Sequence, residues 1–129
     1  MLHRNAIRAY QQAEQDFFVD GADAHGLVEI LYRELISALE RAEAAIEAKD
    51  YVLRAQETTR VLTIIYVLGS SLDFEKGGDV AVSLAQFYEW ARVNVIEAGR
   101  VTSAERLATV RKAVVDIAEA WHTIGQRGE

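Results

Sequence analysis

Along most of this chain apolar residues recur every three or four positions, the spacing of one face of an α-helix. Val28, Leu31, Leu35, Leu39, Ala42 and Ile46 form such a stripe and predict a first helix over residues 24–49. Glu29, Arg33, Glu40, Glu43 and Glu47 fall on its opposite face. Asp50 then ends this helix and can cap a second over residues 51–72, where Tyr51, Ala55, Leu62, Ile65 and Leu72 share an inward stripe. The second half of that helix is apolar nearly all round, from Val61 to Leu68. Such a stretch is either deeply buried or presented to a partner.

Residues 73–78 read as a loop, because Gly77-Gly78 frees the backbone from helical geometry. Asp79 offers a cap for a third helix over residues 80–98, with Leu84, Phe87, Tyr88, Ala91 and Val95 inward. Gly99 suits the left-handed position that stops a helix. Thr102 and Glu105 have capping-box spacing. A fourth helix follows with Leu107, Val110, Val114, Ile117, Trp121 and Ile124 as its seam, closed by Gly125. Ahead of the helices, residues 1–19 form a candidate arm in which Ile7, Ala9, Tyr10 and Phe17 can dock, and Asp23 can cap the first helix after a break at 20–23. Short connectors between long helices force antiparallel neighbours. The expected fold is all-α: one domain over residues 1–129, with an antiparallel four-helix bundle over 24–124 and an N-terminal arm or short extra helix.

Composition narrows the class. Of 129 residues half are hydrophobic and none is proline, which suits long uninterrupted helices around one core. The lack of cysteine removes disulfides, thiolate metal sites and a cysteine nucleophile from consideration. A net charge of −6, with Arg111-Lys112 the only adjacent basic pair, argues against nucleic-acid binding. The stretch Val61 to Leu68 is too short to span a bilayer, and residues 1–9 lack a secretory pattern. A cytoplasmic protein without membrane insertion is expected.

Candidate chemistry is sparse. Glu119 and His122 make one Glu-x-x-His pair, but a carboxylate-bridged di-metal bundle needs a second, and Trp121 in the seam turns both side chains away from the core. His3, His25 and His122 are dispersed, with His25 expected in a structural or capping role. Gly77-Gly78 lacks the lysine of a phosphate loop. No cofactor, metal or catalytic residue is expected, and the chain reads as a non-enzyme. Phe87, Tyr88 and Trp121 should pack inside, with Trp90 harder to place there. For Val61–Leu68 two readings stay open: cover by the arm, or a protein-binding groove.

Ala9-Tyr10-Gln11, His25-Gly26-Leu27-Val28, Leu31-Tyr32, the block Ser70-Ser71-Leu72-Asp73-Phe74-Glu75-Lys76-Gly77-Gly78-Asp79 with Ala81, Leu84 and Tyr88, and Ala120-Trp121 together resemble the flagellar secretion chaperone FliS family. The resemblance spans nearly the whole chain and is most specific in the central block. It departs at Ala24, where the family usually has proline, and at Arg33-Glu34, where it often has Asp-Gly.

The resemblance implies an antiparallel helical bundle that binds the disordered C-terminal segment of flagellin. It also implies that the protein prevents premature polymerisation and assists delivery to the flagellar type III export gate, with an N-terminal arm lying over part of the client surface. On that reading Tyr10, Val61, Ile64, Ile65, Leu68 and Leu72 are the candidate partner-binding residues. The alternatives are a chaperone of another flagellar protein, or a self-associating structural bundle that forms a weak homodimer.

Overall fold

A computed structural model describes residues 24–127 as four helices: α1 (Ala24–Ala48), α2 (Tyr51–Ser70), α3 (Phe74–Val101) and α4 (Ala104–Arg127). The candidate arm, Tyr10 within it and the proposed cap Asp23 lie outside the described residues.

Each connector stops one helix and starts the next with few residues. After α1, Lys49 takes a positive φ of 58°. The Asp50 carboxylate then accepts from the Leu53 backbone N–H at 3.1 Å, filling one donor that the first turn of α2 leaves open. Asp73 does the same for α3, accepting from the Lys76 N–H at 3.0 Å. The third helix is therefore capped six residues earlier than Asp79 would cap it. A helical turn from Phe74 precedes a kink at Gly78, whose φ of 49° and ψ of −126° favour glycine. A Cβ at the neighbouring Gly77 would stand 2.9 Å from that of Ala81, so the pair of glycines serves both the kink and a close approach.

The far end of α3 also differs from expectation. Gly99 stays helical, and Thr102 takes the left-handed cap with φ 54°. With Thr102 used to stop α3, the cap of α4 moves one residue on: Ser103 Oγ accepts from the Arg106 N–H at 3.1 Å. No acidic or amide side chain stands three residues after Ser103, so the cap is single rather than reciprocal.

Pairs of side chains between helices fix their directions. Glu34 meets Arg60 while Arg41 meets Glu57, so numbers rise along α1 as they fall along α2. His25 meets Trp121 while Glu43 meets Arg111, which sets α4 antiparallel to α1 as well. α1 packs broadly on both α2 and α4, whereas α3 joins those two less extensively, and diagonal helices meet only through long side chains. The close packing of α1 follows from its small residues: Ala38, Ala42 and Ala45 are buried and let neighbouring helices approach.

One core runs through the bundle, built from Tyr32, Leu35 and Leu39 of α1, Val61, Ile64, Ile65 and Leu68 of α2, Tyr88, Ala91 and Val95 of α3, and Leu107, Val110 and Val114 of α4. Two predicted stripes need correction. In α2, Tyr51 and Ala55 are exposed, and the partly buried positions of that half are Leu53, Arg54, Glu57 and Thr58, with Glu57 ion-paired to Arg41 at 3.0 Å. An inward carboxylate hides the phase of a helix from any apolar template. In α4, Ile124 lies beyond the last layer of the core and is 57% exposed.

Candidate partner-binding site

The apolar run of α2 is covered by the bundle itself. Val61 is 0% exposed, Ile64 9%, Ile65 3% and Leu68 3%, each packed among residues of the other helices. Only Thr63 and Tyr66 within the stretch are exposed. This corrects the picture of a free groove along residues 61–68: a helix clamped between α1 and α3 has little outer side, and two polar-tipped residues suffice to cover it. Leu72 sits differently. It is partly buried, just past the end of α2, at an opening in the bundle.

That opening is an apolar cavity of about 310 Å³. Val28 and Tyr32 of α1, Leu68 and Leu72, Val80, Leu84 and Tyr88 of α3, and Trp121 of α4 wall it, so all four helices contribute. Asp73 of the connector and Lys76 in the first turn of α3 form its rim. Beside it Phe74 is 53% and Val80 64% exposed, which extends the apolar surface outward. Of the candidate residues within the described part, the structure brings Leu68 and Leu72 to this cavity; Val61, Ile64 and Ile65 lie behind it in the core. Sequence reasoning missed Val28, Val80, Leu84 and Trp121 as walls. The available signal was the block Ser70–Asp79, which forms the connector over the opening.

Two polar devices hold the cavity in shape. Tyr32 and Tyr88 meet hydroxyl to hydroxyl at 2.6 Å across the core, one donating to the other. Burial pushes the Tyr32 phenol above its ordinary value of 10.0, and its bond to Tyr88 offsets this in part. A raised folded-state value means the neutral phenol favours the fold. That contribution is complete below pH 10 and is lost as pH climbs through the raised value. Chemical denaturation between pH 8 and 11.5 should show stability falling more steeply in the parent than in Tyr32→Phe.

The second device joins the start of α1 to the end of α4. His25 Nε2–H donates to the Trp121 carbonyl at 2.7 Å, and Trp121 Nε1–H donates to the His25 carbonyl at 2.9 Å. Their rings stack at 4.2 Å between centroids, 5° from parallel. This reciprocal clasp satisfies carbonyls and ring N–H groups together and fixes Trp121 as a wall. Gly125 makes it feasible, because a Cβ there would overlap the His25 ring. Gly125→Ala should therefore expel the imidazole and cost roughly 1–3 kcal/mol, as overpacking does. A lower Tm and a red-shifted Trp121 emission, read in a Trp90→Phe background, would report it.

Elsewhere, a more polar cleft of about 530 Å³ lies between α1 and α4, with Ile36, Val115 and Ala118 as its floor. Glu29, bonded to His122 Nδ1, stands on its rim beside Arg33 and Glu119. Among the described residues no three of His, Asp and Glu converge as a metal site would require. None of the described helices is long and apolar enough to cross a membrane. Trp90 is 39% exposed and stacks on Phe87, consistent with its expected place outside the core.

The chain is similar over its length to several characterised proteins. It is 31% identical to the flagellar secretion chaperone FliS of Salmonella typhimurium over 98% of this chain and 95% of that one. It is 30% identical to that of Campylobacter jejuni, covering 96% and 94%. For the chaperone FliSB of Pseudomonas aeruginosa the identity is 26%, covering 96% and 98%. The family described as flagellar protein FliS matches residues 5–128. The chain belongs to the FliS family.

Proposed function

We propose that this protein is a cytoplasmic flagellar export chaperone whose client is the disordered C-terminal segment of flagellin. It acts by sequestration, without catalysis and without a cofactor. The carrying observation is the open apolar cavity at the connector end of the bundle, bordered by exposed Phe74 and Val80. A disordered client loses chain entropy on binding and must bury apolar surface to offset it. A cavity walled by all four helices supplies an anchor for one or two apolar client side chains, and the exposed rim continues the contact. Relatives named flagellar secretion chaperones make an export client the natural occupant.

On this reading Leu68 and Leu72 touch the client, while Val61, Ile64 and Ile65 hold the inner wall behind them. Tyr10 and the arm of residues 1–19 compete with the client for the same surface. Delivery to the flagellar export gate follows capture, and keeping the client's assembly segment occupied prevents early polymerisation.

Co-expression with the flagellin of the same genome, followed by size-exclusion chromatography, tests the proposal. A one-to-one complex that is lost when the flagellin C-terminal segment is deleted supports it. Separate elution of two folded proteins overturns it. Deleting residues 1–19 should raise client affinity, by several-fold if the arm occupies the surface most of the time. Calorimetry with the isolated client segment reads that change.

A further inference from the structure

Lys76 stands where local physics favours a different residue. Asp73 caps α3 by accepting from the Lys76 backbone N–H at 3.0 Å, which makes residue 76 the third of the helix. A glutamate or glutamine there would close a reciprocal capping box, and the positive end of the helix dipole disfavours a cation. Arg106 holds the same position in α4, but there Asn94 Oδ1 accepts from the guanidinium at 3.1 Å. Among the described residues, no oxygen accepts from the Lys76 ammonium. No contact within the described bundle accounts for this cation.

Its place beside the cavity does. Lys76 is the one cation among the described residues that line the apolar cavity, and it shares the rim with Asp73, whose carboxylate is engaged in the cap. A lysine stem can lie along apolar surface while its ammonium stays at the edge. An apolar side chain that enters the cavity brings its own sequence neighbours up to this ammonium. The chain as a whole carries a net charge of −6 and repels acidic segments. One unpaired cation at the mouth is therefore a point of discrimination: it accepts a carboxylate where the rest of the surface does not.

We propose that Lys76 is a specificity-determining residue of the cavity. It selects a client segment in which an aspartate or glutamate lies within one helical turn of the apolar anchor. The inference rests on the reading of this cavity as the client's anchor site. The carboxylate belongs to a side chain and not to the client's terminus, because exposed Phe74 and Val80 continue the apolar surface past the mouth. A bound chain runs on across them. A residue that breaks a local rule of helix design is expected where function requires it.

Calorimetry with the client segment should show Lys76→Gln weakening capture roughly three- to tenfold, and Lys76→Glu weakening it further. The difference from the parent should shrink as salt rises from about 0.05 to 0.5 M, because screening removes the same attraction from the parent. Neither variant should melt below the parent, since glutamine and glutamate suit this helical position better than lysine. Replacing the client's acidic residues by lysine, one at a time, should yield one client that Lys76→Glu binds better than the parent does. Amidating the client's C-terminus should change nothing. A parent that captures no client sinks the anchor-site reading and this inference together. With capture intact, equal affinity across parent and both variants overturns this inference alone. So does a loss accompanied by a lower Tm, the lack of any charge-swapped client, or a loss on amidation.

Discussion

Ile65→Asp should abolish the folded bundle: far-UV circular dichroism should lose its helical minimum and the protein should elute as an expanded chain. Ile65 is 3% exposed and belongs to the core cluster that all four helices share. A carboxylate there is set among the apolar side chains of that cluster, with Arg92 across the adjoining surface cleft as its nearest cation, and burying it costs up to several kcal/mol whether it ionises or takes up a proton. The substitution also removes an apolar side chain worth roughly 2–5 kcal/mol by analogy with truncation to alanine. Small domains have only about 5–15 kcal/mol in total, so the combined loss takes most or all of it. Ile65→Val, which removes one methyl group, should cost roughly 0.5–1.5 kcal/mol and leave the helices intact. If Ile65→Asp stays helical and loses only client capture, the inner face of α2 is accessible to the client and the core assignment given above is wrong.

The bundle was legible because its strongest signals are local. The stripe of α1 needs only its own spacing, and Leu35, Leu39 and Ala42 are buried as that spacing predicts. Asp50 is the cap the sequence suggests. Caps failed where two candidates stood close together. Asp73 and Asp79 both precede apolar residues, and nothing local says that Gly78 will kink a helix instead of opening a loop. Thr102 and Ser103 compete for one cap, and the choice depends on how α3 stops, which is a matter of backbone geometry rather than residue type.

The site was half legible. The resemblance is most specific at Ser70–Asp79, and the cavity opens beside that block, although Leu72 alone of the candidate residues lies within the block. The apolar run of α2 left two readings open for a physical reason: an all-apolar helix segment is equally well explained by burial or by a partner, and among the described residues most of it is buried between α1 and α3. The cavity walls come from residues 28, 72, 80 and 121, which are distant in sequence. No periodicity within one helix can show that they converge. The clasp of His25 with Trp121 has the same character, since its partners stand 96 residues apart.

Leu72→Asp and Val80→Asp should each weaken capture of the flagellin C-terminal segment by tenfold or more while the bundle stays folded. Leu72 lines the cavity but is only partly buried, and Val80 is 64% exposed on its edge, so neither change inserts a charge into the core. A client side chain that enters the cavity would desolvate the new carboxylate without pairing it. Full burial of one leucine-sized side chain is worth roughly 1.5–3 kcal/mol, and a tenfold change in affinity corresponds to about 1.4 kcal/mol. Losing one such contact whole therefore reaches the expected effect. Val52→Asp is the matched control: Val52 is 70% exposed in the first turn of α2, at the opposite end of that helix from the cavity. Calorimetric titration should show the control binding as the parent does. Should all three variants bind equally well with unchanged helicity, the client docks elsewhere and the cavity is not its anchor.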